Sequence, residues 1–123
     1  MTRRYIPAVA TIWQLIDAKA DEIPDRTLFI AEDDSSITYG EFRDRAERLA
    51  AGLHAAGVGS GTRVTWQLPS CIPTVLVTAA LARLDAVQSP VLHLYREKEL
   101  GFVLRHTDAQ YCIVPGEWKG FDY

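Results

Sequence analysis

Few residues in this sequence are of types that do chemistry, and their spacing limits what they can do. Glu32-Asp33-Asp34 sets three carboxylates side by side. A calcium loop instead spreads its ligands at alternating positions and needs a glycine for its sharp turn, so the acidic run reads as a solvated turn. Gly57-Val58-Gly59-Ser60-Gly61 is the nearest approach to a phosphate cradle. Such cradles lead from a strand into a helix N-terminus, whereas this run follows a helical pattern and precedes a strand, so it reads as a flexible turn. Cys71 and Cys112 form no Cys-x-x-Cys pair and no disulfide framework, and read as two buried thiols in a reducing compartment. Cys71 falls near the start of a helical pattern, where a thiol pKa can drop, but the sequence places no base beside it. His54, His93 and His106 lie in three separate segments and nominate no metal site. No residue is assigned a catalytic, cofactor-binding or metal-binding role.

The elements that carry these residues follow from apolar periodicity. A helix begins at Thr11, with Ile12, Leu15, Ile16 and Lys19 on one stripe and Trp13 beside it, and Ile23-Pro24-Asp25 stops it. Thr27 to Ala31 and Ile37 to Tyr39 are short apolar runs around the acidic turn, the pattern of an antiparallel hairpin. Gly40 to Ala56 is an amphipathic helix with Phe42, Ala46, Leu49 and Leu53 inward. Thr38 and Glu41 stand at capping-box spacing, Gly57 supplies a left-handed cap, and Glu41–Arg45 and Asp44–Arg48 are spaced as ion pairs.

From about residue 62 to 114 the pattern becomes strand, helix, strand, helix, strand. Val64 to Leu68 alternates apolar and polar residues, as a strand with one drier face would. Ser70 is placed to cap a helix, nearly all apolar, that runs to Leu84 and tolerates Pro73 in its first turn. Ala86 to Pro90, a helix from Arg96 to His106 with Leu100, Val103 and Leu104 inward, and Gln110 to Val114 complete the unit. The fold class is therefore α/β. Part of a doubly wound parallel sheet (βαβαβ) is preceded by a helix, a β-hairpin and an amphipathic helix. Ligands of such sheets gather beyond the carboxyl ends of the strands. That points to Ser70, to the Ser89–Tyr95 loop with His93, and to Gly116-Glu117.

The chain has 123 residues, 48% of them hydrophobic and 24% charged, and a formal net charge of -3. That balance fits one soluble unit and argues against a nucleic-acid partner, which needs concentrated Lys and Arg. The basic start, Met1 to Tyr5, is followed by no apolar signal core, and Ile72 to Leu84 is too short for a transmembrane segment. The expected location is the cytoplasm, a position peripheral to a membrane remaining compatible with it.

Four ordered segments resemble the beginning of the adenylate-forming superfamily, which includes acyl-CoA synthetases, firefly luciferase and the adenylation domains of nonribosomal peptide synthetases. Ile37-Thr38-Tyr39-Gly40-Glu41-Phe42 is similar to that family's LTYxEL motif. Arg45-Ala46-Glu47-Arg48-Leu49-Ala50, running on to Gly57 through Val64, resembles its RAxxLAxxLxxxGVxxGDRV pattern. Leu81 through Pro90 and then Tyr95 through Leu100 resemble LAxxxxGAVxxPxNPxYxxxEL. The close, Val114-Pro115 and Trp118 to Tyr123, resembles a subgroup of bacterial ligases for medium-chain, long-chain or alicyclic acids. Departures fall at Asp85, where the family usually has glycine, at Thr62 where it has aspartate, and at Ser70 and His93 where asparagine is common.

The resemblance implies an enzyme that joins a fatty or other carboxylic acid to AMP with ATP and Mg2+, then transfers the acyl group to coenzyme A. It also implies that the Ser/Thr/Gly-rich loop, the ribose-binding acid and the lid lysine of that chemistry follow the region matched here. The chain is thus expected to be the N-terminal portion of such a ligase, inactive and without cofactor by itself. Trp118, Phe121 and Tyr123 near the end, and an open-edged sheet, suggest that more protein followed and that the fragment self-associates. Two other readings keep the same elements: a non-enzymatic binding or assembly module, and an unrelated small flavodoxin-like domain.

Overall fold

The computed structural model describes residues 8–123; the basic Met1–Tyr5 stretch lies outside the described residues. In chain order the elements are α1 (Ile12–Glu22), β1 (Thr27–Ile30), β2 (Ser36–Thr38), α2 (Tyr39–Ala55), β3 (Arg63–Trp66) and α3 (Ile72–Arg83). They continue with β4 (Val87–Pro90), α4 (Glu97–His106), β5 (Tyr111–Ile113), β6 (Glu117–Trp118) and β7 (Phe121–Asp122). β1 and β2 pair antiparallel, and β4-β3-β5 form a parallel sheet in that order. Each expected helix and strand is present. The β6–β7 hairpin was not anticipated: Lys119 and Gly120 both take positive φ, 47° and 74°, the signature of a type I′ two-residue turn.

The first half of the chain packs as α1, the hairpin and α2 against α3. Thr11 accepts a hydrogen bond from the Gln14 N–H and starts α1. The inward side of α1 is turned from the expected stripe. Ala20 is buried and Trp13 and Ile16 pack on the core, whereas Ile12 is 69% exposed. Arg83 lies over the Trp13 ring at 5.7 Å, consistent in direction with that rotation. The capping box of α2 is complete, Thr38 Oγ1 accepting from Glu41 N and Glu41 Oε2 accepting from Thr38 N. Glu41 is used there and Asp44 faces Arg43, and the pairs expected of Glu41 with Arg45 and Asp44 with Arg48 are not among the ion pairs of the described residues. Arg43 instead reaches Asp17, Asp21 and Asp44, joining α2 to α1. The core of this half is Ile37, Phe42, Ala46, Leu76 and Ala79. Burying Ile37 and Phe42 contributes roughly 1.5–3 kcal/mol each.

The sheet is where the alternating pattern misleads. Val64 and Trp66 face α2 and α3, and Val64 is sealed by Val58 and Leu81. The other face of β3, expected to be the wetter one, is also covered: Thr65 is 0% and Gln67 2% exposed. The chain steps from β3 out to β4 and then back past β3 to β5, so right-handed crossovers place α3 and α4 on opposite faces of the sheet. A central parallel strand is then buried on both sides, whatever its alternation. The second cover is thinner. Leu100, Val103 and Leu104 of α4 are only half-buried, and Val87 and Phe102 are exposed.

Two stability predictions follow from these contacts. Thr38→Ala removes the α2 cap and lowers the unfolding free energy by about 1 kcal/mol in urea titration. The Thr65 hydroxyl is buried without a hydrogen-bond partner. The isosteric Thr65→Val is therefore expected to hold or raise stability by up to ~1 kcal/mol in the same titration, against the usual loss for a core substitution.

Candidate functional site

The carboxyl end of the parallel sheet is organised by one side chain. Gln67 follows β3 directly, and its backbone N–H donates to Ile113 C=O at 2.9 Å, tying β3 to β5 beyond the last registered pair. Its side-chain Nε2 donates to Leu92 C=O at 2.9 Å and Tyr95 C=O at 2.8 Å. A buried primary amide has two N–H groups, and here both hold the loop between β4 and α4. From the other side Arg96 donates to His93 C=O at 2.7 Å and Tyr95 C=O at 3.1 Å. The carbonyls of Leu92, His93 and Tyr95 are thus spent on the protein itself.

The β6–β7 hairpin closes over the same loop. Tyr123 Oη donates to His93 C=O at 3.0 Å, and the His93 ring meets Trp118 edge to face at 4.9 Å. The Arg96 guanidinium lies 3.8 Å from the Phe121 centroid and 5.5 Å from that of Tyr123, a solvent-exposed cation–π stack. Of the residues expected at this end of the sheet, His93 and Gly116-Glu117 are brought together in this cluster. Ser70 lies apart, exposed on the wall of a groove of about 870 Å³ that also includes Trp66, Cys71, Thr74, Trp118 and Lys119. Ser70 does not cap α3. The cap position is Cys71, which makes no side-chain bond to the helix N–H groups. Thr74 Oγ1 turns back to Pro69 C=O instead.

Neither cysteine is buried, in contrast to expectation. Loss of hydration on the sheet pushes the Cys112 thiol pKa up even though solvent reaches the residue. His54 Nδ1 lies 3.3 Å from Val58 C=O, and His106 stacks on Phe102. In the acidic turn, the Ser35 hydroxyl and backbone N–H both donate to Asp33 and hold its carboxyl below the usual carboxylate range. Among the described residues, no three His, Cys, Asp or Glu side chains gather closely enough to hold a metal.

The glycine-rich turn does not fit a nucleotide phosphate. Gly57 N–H donates to His54 C=O, Val58 N–H to Leu53 C=O, Gly59 N–H to Thr62 Oγ1 and Gly61 N–H to Asp85 C=O, all within 3.0 Å. Donors committed in this way are not free to cradle an anion. This turn therefore does not fit a nucleotide phosphate, and the arrangement at the sheet end can shape and support a cleft. Sequence reasoning missed Gln67, Arg96 and Trp118. A polar residue just past a strand was the available signal for Gln67; nothing local marked the other two.

Known proteins share both this sequence pattern and this fold. The family described as AMP-binding enzyme matches residues 16–122. The medium-chain fatty-acid–CoA ligase of Escherichia coli (strain K12) is 30% identical over 112 residues, which is 91% of this chain and 19% of that protein. The 2,3-dihydroxybenzoate-AMP ligase of Bacillus subtilis (strain 168) is 33% identical over 113 residues, 92% of this chain and 21% of that protein. The N-terminal subdomain of Klebsiella oxytoca NpsA, solved in complex with 3-hydroxybenzoyl-AMSN, superposes with a TM-score of 0.84 at 26% identity, over 92% of this chain and 29% of that one. The chain thus spans about a fifth of the length of these two curated relatives. With the match running from α1 to β7, this chain belongs to the AMP-binding enzyme family of adenylate-forming ligases.

Proposed function

We propose that this chain is the N-terminal portion of an ATP-dependent ligase that activates a fatty or other carboxylic acid as its acyl-AMP and passes the acyl group to coenzyme A. Its contribution is framework. It sets the central strand β3, the loop pinned by Gln67 and the groove beside α3, against which the reactive groups of the whole protein are arranged. The observation that carries this reading is the contrast between a family match over residues 16–122 and a sheet end whose hydrogen-bonding groups are already paired within the chain. The relatives include both a medium-chain fatty-acid–CoA ligase and a 2,3-dihydroxybenzoate-AMP ligase, and the fatty-acid branch rests on the resemblance of the Trp118–Tyr123 ending. No described helix is long and apolar enough to cross a membrane, and a cytoplasmic or membrane-peripheral enzyme is the reading adopted.

ATP, Mg2+ and coenzyme A are assigned to segments beyond those described, a reading supported by the glycine-rich turn, whose donors are committed within the chain. The chemistry requires donors and cations aimed at the leaving pyrophosphate, and these are assigned to the other segments of the whole protein. The purified 123-residue chain is therefore expected to give no acyl-CoA above a blank when supplied with ATP, Mg2+, coenzyme A and octanoate, palmitate or benzoate. Formation of any acyl-CoA by the chain alone, read by mass spectrometry, would contradict the assignment of the reactive groups to other segments.

A further inference from the structure

We draw no further inference here: the strongest candidate, the apolar groove of about 470 Å³ between α1 and α3 that Ile12, Leu15, Ile16 and Val75 line, carries none because nothing in the structure shows what covers it.

Discussion

The carboxyl end of the sheet depends on the buried amide of Gln67. Three chain segments would otherwise diverge there: the exit of β3, the β4–α4 loop and the end of β5. One residue holds all three, through two side-chain bonds to Leu92 and Tyr95 carbonyls and one backbone bond to Ile113. Inside protein an unpaired carbonyl costs on the order of 1–3 kcal/mol, so removing this amide releases more than the bonds themselves. Arg96 and the β6–β7 hairpin then build on a loop whose position is already set. The wall of the groove at Trp118 is joined to the sheet through that sequence of contacts.

Much of the architecture was legible because local signals agreed with tertiary demands. Thr38 with Glu41, and Gly57 at φ 103°, terminate α2 as their spacing implied. Legibility failed where a residue answers to something distant. The alternation of Val64-Thr65-Trp66-Gln67 suggested a half-wet strand, yet a strand flanked by β4 and β5 and covered on both faces has no wet side. Ile12 fitted the α1 stripe by period, but burial of Ala20, the packing of Trp13 and Ile16 on the core and the Arg43 pairs with Asp17 and Asp21 set which side of that helix turns in. The hairpin β6–β7 is held by Arg96 and His93, more than 20 residues earlier in the sequence, and no window of local pattern includes both.

The departures from the family pattern have local explanations. Asp85 stands where glycine is usual and takes φ 56°, a left-handed conformation that aspartate tolerates better than most residues. Its carboxylate accepts from Ser60 Oγ at 2.6 Å, and its backbone C=O accepts from Gly61 N–H. Thr62 replaces an aspartate and still accepts from Gly59 N–H, the role a short oxygen-bearing side chain plays in a turn. Both substitutions keep the glycine-rich turn closed on itself. The segment therefore connects α2 to β3 and is no anion site.

The most direct test of the account is hydrogen exchange, read by mass spectrometry, on Gln67→Met beside the parent chain. Methionine is close in volume but offers no N–H, so the loop carbonyls lose their donors while the core stays filled. The account predicts much faster exchange in residues 91–96 and in the hairpin 116–123, with α1, α2 and the β1–β2 hairpin protected as before. Unchanged exchange in residues 91–96 would contradict it, because the loop would then be held by something other than Gln67.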